Sequence, residues 1–310
     1  MSEPSKLTLR RSLKRYYKGM HRVLSPEETE KTLLRKVRNS GLPIYFKLLR
    51  IYGLDKIGVP IYAVQYSDVF NNTKKPNTTT CCKGKGLTPT ASRVSALIER
   101  VERFSASDMD LKDITYSTFH KLDKAVSRWD FVPCNLQRKL YSKRHVDRQL
   151  LPWTKSFSLT KNREVFVPAN LAYFRSFREN NDFSYTTGLA AGNNIEEAIL
   201  HGLCEVLERH LQEIVYCNGI KTPLVAADSI GDPGLKKLIG AFTSKGINLH
   251  INYLALDYGI PAFGVFAFDQ DPPYLDSHSF YSAVGVHTDK TVALTRALTE
   301  LAQQRASTLS

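Results

Sequence analysis

The feature that most constrains this fold is a short acidic motif that occurs twice, each time inside an apolar helical pattern. The sequence Glu-x-x-Glu-Arg stands at residues 99–103 and again at residues 205–209. Carboxylates at positions i and i+3 lie on one side of an α-helix, about one turn apart. Because the flanking residues are apolar at nearly every other position, we predict two buried helices, each with one polar stripe. Two such helices facing each other would place four carboxylates around one cavity.

Carboxylates that share a cavity repel each other, so the four glutamates require cations between them. Magnesium binds hard oxygen ligands of this kind, and each motif ends in an arginine, Arg103 or Arg209. Guanidinium groups recognise phosphate oxygens in pairs, which suits a polyphosphate beside the metal. A di-iron carboxylate site is the alternative, but it uses Glu-x-x-His, and arginine repels a metal. We therefore hypothesise a Mg²⁺–ATP site built from two duplicated helices.

The predicted elements around the two motifs follow a common order. The first acidic helix is predicted at residues 89–106 and the second at 194–216, after the glycine-rich bends Gly84-Lys-Gly86 and Gly188–Gly192. Further predicted elements are helices at residues 25–39, 232–246 and 290–305, and strands at 45–52, 59–66, 249–257, 259–269 and 281–286. This order predicts an α+β fold with mixed sheets and an internal duplication of strand, glycine bend and capped helix.

Three side chains of the second acidic helix carry separate expectations. Cys204 falls among apolar residues, so we predict that it belongs to the core and is not a nucleophile. We expect His201 on the helix surface and His210 packed. No Ser-His-Asp or Cys-His arrangement is apparent around them.

The ends of the chain and its charge indicate one main domain. Residues 1–20 are basic and are expected to be loosely ordered, followed by a single domain at 21–310. The chain stops soon after the last predicted helix without a capping signal, so we expect this domain to be shortened at its C-terminus. The formal net charge of +13 favours anionic partners or a solvated basic surface. No nucleic-acid-binding motif accompanies it, so we do not expect a nucleic-acid partner.

Apolar patterning and cysteine spacing restrict the class of protein further. No apolar run approaches the ~20 residues of a membrane span, and no signal peptide follows the basic N-terminus. The five cysteines have neither zinc-finger nor disulfide-framework spacing. A cytoplasmic protein with reduced thiols and without a membrane partner is therefore expected.

Several motifs in a fixed order resemble those of the YcaO-domain family, from about Arg22 to Arg305. Ser95-x-x-x-Glu99-x-x-Glu102-Arg103 is similar to the first nucleotide motif of that family. Asn193-x-x-x-Glu197, followed by Glu205-x-x-Glu208-Arg209, resembles the second. The other matching segments are Gly84-Lys-Gly86, Gly188-Leu-Ala-Ala-Gly192, Gly259-Ile-Pro-Ala-Phe263 and Arg296-Ala-Leu-Thr-Glu300-x-x-Gln303.

The resemblance implies an ATP- and Mg²⁺-dependent enzyme that phosphorylates the oxygen of a peptide backbone amide. A nucleophile then attacks the activated carbon and phosphate leaves. A Cys, Ser or Thr side chain gives an azoline, sulfide gives a thioamide, and an amine gives an amidine.

The resemblance also implies roles for individual residues. The implied magnesium ligands are Glu102, Glu205 and Glu208, and the residues expected to act in catalysis are Glu102, Glu208 and Arg209. The implied nucleotide or phosphate contacts are Ser95, Glu99, Arg103, Asn193, Glu197, Arg209 and Glu300, together with Arg22 and Thr29, which have the spacing of an N-terminal Lys/Ser pair in relatives.

Two segments resemble one branch of the family, which works with a TfuA-type sulfur-delivery partner. These segments are Gly53–Pro60 and Ala198–Arg209. Members of that branch make thioamides, including one in an archaeal methane-forming enzyme. We therefore expect thioamide formation on a peptide or protein substrate, with a TfuA-like partner, and a homodimer, as is common in such proteins.

Departures from the family pattern keep other functions open. Thr186-Thr187 stands where relatives often have Ser-Asn, and His210 stands where they have Asp. The chain also ends before a Gly-Ala-Arg-Glu-Asp-like segment that relatives carry. An azoline-forming cyclodehydratase of a ribosomally made peptide and a non-catalytic scaffold that binds leader peptide are the alternatives.

Overall fold

A computed structural model describes residues 7–40, 47–51, 55–67, 79–107, 111–131, 142–173, 186–272 and 279–308. The chain divides into two compact units. The smaller unit comprises Met1–Arg10 and Arg103–Thr186, and the larger unit comprises Arg11–Glu102 and Thr187–Ser310.

The strands are β1 (Arg15–Tyr17), β2 (Met20–Arg22), β3 (Lys47–Arg50), β4 (Ile61–Ser67), β5 (Thr79–Lys85), β6 (Thr115–Ser117), β7 (Leu151–Ser158), β8 (Arg163–Pro168), β9 (Ile247–Tyr253), β10 (Ala262–Asp269) and β11 (Phe280–Val286). The helices are α1 (Pro26–Asn39), α2 (Pro89–Ser107), α3 (Lys143–Asp147), α4 (Ala169–Ala172), α5 (Ile195–Cys217), α6 (Pro233–Thr243) and α7 (Lys290–Thr308).

The larger unit contains one arrangement twice: a helix, a three-stranded sheet and a second helix. The first copy is α1, the sheet β3-β4-β5 and α2; the second is α6, the sheet β9-β10-β11 and α7. All strand pairs in both sheets are antiparallel. The strand pairing also repeats. Ile61 pairs with Lys85 in the first sheet, and the same shift in residue number takes these two residues to Ala262 and Val286, which pair in the second sheet. The α+β class is thus confirmed, with antiparallel sheets.

Helix starts repeat between the two copies as well. Ser25 caps α1 and Asp232 caps α6, each followed by a proline in the first turn. The Thr88 hydroxyl oxygen accepts from the Ala91 amide at 3.1 Å at the start of α2. The Asp289 carboxylate accepts from the Val292 amide at 3.0 Å at the start of α7. These caps satisfy backbone donors that the first turn leaves without partners.

A glycine near the end of the third strand lets each sheet approach its following helix. A Cβ on Gly84 would lie 2.1 Å from the Ala96 backbone nitrogen, and one on Gly285 would lie 2.3 Å from the Ala293 carbonyl oxygen. The prediction of a glycine bend at residues 83–86 was therefore wrong, because β5 continues to Lys85. Gly84 is needed for close packing of strand on helix and not for a turn.

The repeat seen here pairs α2 with α7, whereas the sequence pattern indicated α2 and the second acidic helix, α5. No three-stranded sheet directly precedes α5, which follows residues 186–194. The displacement that relates the two copies places Glu300 of α7 where α2 has Glu99, and Arg296 where α2 has Ser95. The helix α5 therefore lies outside the repeat and contributes a third acidic element.

The core of the larger unit lies between its sheets and helices. The main cluster includes the buried side chains of Phe242, Val265 and Leu298. A second cluster joins Leu211 of α5 to Val286 of β11. Fully burying an apolar side chain of this size contributes about 1.5–3 kcal/mol, so these clusters fix α5 and α7 against the β9-β10-β11 sheet.

The last turns of α7 are anchored by a buried ion pair. Arg305 donates to the Asp269 carboxylate through Nε at 3.0 Å and Nη2 at 2.9 Å. Lys56 donates to the other carboxylate oxygen at 2.7 Å. Both Arg305 and Asp269 are 1% exposed, so each charge depends on the other for compensation.

The chain before α1 includes the predicted domain boundary at residue 20. The antiparallel hairpin β1–β2 spans that position. Upstream, the Ser12 hydroxyl accepts from the Asn194 amide group at 2.7 Å, and the Lys14 ammonium donates to the Thr288 hydroxyl at 3.2 Å. That residues 21–310 act as one domain stays a prediction.

The smaller unit is built on the antiparallel sheet β6-β7-β8. Trp153 on β7 is 1% exposed and donates its indole N–H to the Ser117 carbonyl at 2.9 Å. The strands β7 and β8 of this sheet form an antiparallel hairpin. In the described parts of the chain, no helix has the length and apolar character needed to cross a bilayer.

Candidate functional site

The N-terminal end of α5 gathers four of the predicted nucleotide contacts. The Glu197 carboxylate accepts from the Asn193 side-chain amide at 3.2 Å and from the Val23 backbone amide at 3.0 Å. Arg22 Nε lies 3.6 Å from Glu197 Oε1. Thr29 donates its hydroxyl to the Asn193 side-chain oxygen at 3.1 Å. Arg22, Thr29, Asn193 and Glu197 therefore form one connected group, although two of them precede the others by more than 160 residues.

A pocket of about 150 Å³ lies beside this group. It is lined by Ser12, Lys14, His21, Arg22, Val23, Glu196, Glu197, Leu200, His201, Cys204, His287 and Arg296. Burial lowers the pKa of Arg22, and the nearby Glu197 carboxylate raises it. The buried atoms His21 Nδ1 and Arg296 Nε have no hydrogen-bond partner among the described residues. A buried donor without a partner costs about 1–3 kcal/mol, which a polar ligand would offset.

His201 lies in this pocket, so the expectation of a surface histidine was wrong. Its pKa is lowered to about 3, chiefly by burial and also by the positive charges of Arg296 and Arg22. The neutral ring places Nε2 3.4 Å from Arg296 Nη2. His210, which we expected to be packed, is exposed and contacts the Tyr258 hydroxyl. Cys204 is buried, as predicted, and burial raises the pKa of its thiol.

Lys85, at the end of β5, is surrounded by charges from three helices. Its ammonium forms an ion pair with Glu300 of α7. The pKa of Lys85 is lowered to about 7, chiefly by burial and also by Arg296 and Arg209, while Glu208 and Glu99 act to raise it. Charged groups of α2, α5 and α7 therefore act on one ammonium group. That the acidic stripes of α2 and α5 line one nucleotide site stays a prediction.

Two predicted acidic residues are held by backbone amides. Glu99 accepts from the Lys83 amide at 3.1 Å. Glu205 accepts from the Gly188 amide at 3.2 Å. Gly188 has φ of +87°, a conformation that glycine adopts without strain, so the bend before α5 presents this N–H to Glu205.

Glu205 is the carboxylate with the clearest need for a cation. Burial raises its pKa and the neighbouring Glu208 raises it further, while the Gly188 hydrogen bond and Arg209 lower it. Hard carboxylate oxygens and a buried, partly uncompensated negative charge suit Mg²⁺. The residues present therefore fit a Mg²⁺–nucleotide complex in chemistry.

The three predicted magnesium ligands do not form a ready-made metal cluster. Within the described ranges, no three His, Cys, Asp or Glu side chains are arranged to hold a metal ion. Glu102 is half-buried on α2, and so are Glu205 and Glu208 on α5. Magnesium ligation by these three residues stays a prediction. So does the nucleotide role of Ser95, half-buried on α2, and of Arg103, which belongs to the smaller unit.

Two side chains at this site were missing from the predicted set. Lys85 stood in the sequence only as the middle of Gly-Lys-Gly, and Arg296 only as part of a matching segment. Neither residue carries a periodic signal of its own, so nothing in the sequence distinguished it from the rest of its segment.

Curated relatives match nearly the whole chain. An uncharacterised protein of Methanothermobacter thermautotrophicus is 31% identical over 93% of this chain and 72% of its own length. An uncharacterised protein in the tfuA 3′ region of Rhizobium leguminosarum bv. trifolii is 26% identical over 98% of this chain and 72% of its own length.

Two solved structures share the fold. A heterocyclase in complex with substrate and cofactor superposes with a TM-score of 0.81 at 25% identity, over 97% of this chain and 42% of that chain. YcaO from Methanopyrus kandleri, bound with AMPPCP and Mg²⁺, superposes with a TM-score of 0.69 at 23% identity, over 94% of this chain and 70% of that chain. This protein therefore spans less than half of the heterocyclase.

One family model covers most of the chain, and it is described as YcaO cyclodehydratase, ATP- and Mg²⁺-binding. It matches residues 83–310, which include both acidic helices, Lys85 and α7. The order of motifs, the fold and this match agree, and the chain belongs to the YcaO family of ATP- and Mg²⁺-dependent enzymes.

Proposed function

We propose that this protein phosphorylates the oxygen of a peptide backbone amide and thereby prepares the amide carbon for attack by a sulfur nucleophile. The amide oxygen attacks the γ-phosphorus of ATP and ADP leaves. Sulfide then adds to the activated carbon, and phosphate departs with the former amide oxygen, giving a thioamide. The observation that carries this proposal is the convergence of charges from α2, α5 and α7 on Lys85.

Positioning and charge compensation account for most of the chemistry in phosphoryl transfer. The connected group of Arg22, Thr29, Asn193 and Glu197 would bind and orient the nucleotide. Arg209 and Arg296 would offset the negative charge of its phosphates.

Mg²⁺ would supply a divalent charge that lowers the repulsion between the phosphates and the incoming amide oxygen. Glu102, Glu205 and Glu208 would hold it. Since Glu205 is already partly buried beside Glu208, metal binding there would also relieve the repulsion between two carboxylates of α5.

Sulfur delivery is supported by the relative encoded beside tfuA, which matches nearly the whole chain. We accordingly propose a TfuA-like protein as the source of sulfide and a peptide or protein as the substrate. A homodimer stays a prediction. Azoline formation is the second candidate, and the superposition on a heterocyclase favours it.

Calorimetric titration with ATP tests the nucleotide site. We expect binding in the presence of Mg²⁺ and its loss in Glu102→Ala or Glu208→Ala. Glu213→Ala is the matched control, because Glu213 is exposed on the same helix. A folded protein that gives no heat with ATP and Mg²⁺ would contradict the proposal.

The reaction itself is tested with a precursor peptide encoded beside the gene, ATP and sodium sulfide. We expect replacement of one backbone oxygen by sulfur in the mass spectrum, and transfer of a heavy-oxygen label from the peptide amide to phosphate. Loss of water in place of sulfur gain would favour azoline formation. Unlabelled phosphate together with modified peptide would rule out amide O-phosphorylation.

A further inference from the structure

Lys85 has a fixed position because its strand is locked against α2. The preceding residue, Gly84, packs so closely that a Cβ there would meet the Ala96 backbone nitrogen and the Ser92 carbonyl oxygen. The Ser92 hydroxyl also donates to the Gly84 carbonyl at 2.8 Å. The strand therefore cannot slide relative to the helix, and only the lysine side chain is able to move.

Three carboxylates and two guanidinium groups act on this ammonium group. Its direct partner is the Glu300 carboxylate, and both side chains are more than two-thirds buried, at 22% and 29% exposure. Glu99 and Glu208 act on it from α2 and α5. A lysine ammonium is a compact point charge on a flexible four-carbon stem, so it is able to exchange one anionic partner for another.

The guanidinium groups that act on Lys85 belong to Arg296 and Arg209. Arg296 faces the His201 ring, and Arg209 is exposed on α5. Lys85 pairs directly with a carboxylate of α7 while carboxylates of α2 and α5 act on it. A divalent ion entering this space without nucleotide would meet its positive charge at close range.

We propose that Lys85 is an internal counter-ion of the carboxylate group, which makes Mg²⁺ enter only together with the phosphates of the nucleotide. In the protein without nucleotide, the ammonium is paired with Glu300 and repels a bare divalent ion. Phosphate oxygens offer Lys85 a new partner, and its departure leaves the carboxylates to the metal. The inference rests on the proposed function and specifies its order of binding.

Calorimetry at pH 6, below the lowered pKa of Lys85, tests this order with three probes: MgCl₂ alone, AMPPCP alone, and AMPPCP with MgCl₂. The wild-type protein is expected to bind Mg²⁺ alone at least about tenfold more weakly than it binds Mg²⁺ in the presence of AMPPCP. In Lys85→Gln the affinity for Mg²⁺ alone should rise at least about tenfold, because the competing charge is removed. The affinity for AMPPCP with MgCl₂ should fall.

Two further variants keep the test decisive. Lys290→Gln removes an exposed charge at the start of α7 and should behave as the wild type in all three titrations. Lys85→Arg keeps the charge, so it should still exclude bare Mg²⁺. Circular dichroism verifies that each variant is folded.

The outcomes separate this inference from the proposed function. Normal nucleotide binding, with equal affinity of wild type and Lys85→Gln for Mg²⁺ alone, overturns the counter-ion role and leaves the nucleotide site standing. The counter-ion role is also overturned if the wild-type protein binds Mg²⁺ equally tightly with and without AMPPCP. Absence of AMPPCP binding in every titration overturns both.

Discussion

The two copies of the helix–sheet–helix arrangement have the same backbone plan but contribute different chemistry. Glu99, on α2, stays with its own sheet by accepting from the Lys83 amide. Its counterpart Glu300, on α7, instead pairs with Lys85 of the other copy. Ser95 on α2 is replaced by Arg296 on α7. Loss of symmetry between the copies therefore creates the site, and α5, which lies outside the repeat, completes it.

The largest difference between the copies is the buried ion pair of Arg305 and Asp269, which anchors the last turns of α7. We expect Arg305→Leu to lower the free energy of unfolding by about 3–5 kcal/mol, because it leaves the Asp269 charge buried with Lys56 as its remaining partner. Chemical denaturation measures the change. Lys290→Gln is the control, and an equally small effect of both substitutions would remove the anchor from the account.

The close approach of strand to helix is the feature that the two copies share most closely. Gly84→Ala and Gly285→Ala should each cost about 2–3 kcal/mol, since the new methyl group meets backbone atoms on the helix. Gly240→Ala, in the middle of α6 with open space around it, should gain about 0.5–1 kcal/mol. Thermal denaturation distinguishes these outcomes. If Gly84→Ala leaves the stability unchanged while Gly285→Ala lowers it, the two copies pack differently.

The equivalent glutamates test whether both copies contribute to one nucleotide site. Glu99→Gln and Glu300→Gln should each weaken binding of ATP with Mg²⁺ at least about tenfold, or 1.4 kcal/mol. Calorimetry measures both, with Glu213→Gln as control. If only one of the pair affects binding, the second copy serves as scaffold alone.

The pocket beside α7 should make the stability depend on pH, with a small effect per pH unit. The pKa of His201 is lowered to about 3, whereas an unfolded histidine titrates near 6.5. Between these values the unfolded state binds the additional proton, so stability should fall by about 1 kcal/mol per pH unit as the pH drops through this window. Denaturant titrations at several pH values should show a shallower slope for His201→Gln and an unchanged one for exposed His120→Gln. Equal slopes in all three proteins would place His201 in a solvated site.

The sequence predicted the two acidic helices closely because they carry strong periodicity and clear caps. The predicted limits of 89–106 and 194–216 compare with observed limits of Pro89–Ser107 and Ile195–Cys217. The family resemblance assigned Arg22 and Thr29 to nucleotide contacts together with Asn193 and Glu197, and the structure brings these four side chains into one group.

Tertiary packing explains what the sequence did not reveal. Gly84 is needed by a neighbouring helix and not by its own turn, so the residues around it looked like a bend. The true repeat was hidden because α7 is buried nearly all round, while α2 has a polar stripe. A single lysine such as Lys85 produces no periodic signal, and its role depends on residues more than a hundred positions away.

The proposed reaction requires one site where carboxylates of α2 and α5 face a nucleotide-bound metal. The direct measurement is anomalous diffraction from a crystal grown with AMPPCP and Mn²⁺ in place of Mg²⁺. We predict an anomalous peak bonded to oxygens of Glu102 and of Glu205 or Glu208, at about 2 Å, with the phosphates on its other side. A peak remote from all three glutamates, beside a bound nucleotide, would contradict the account.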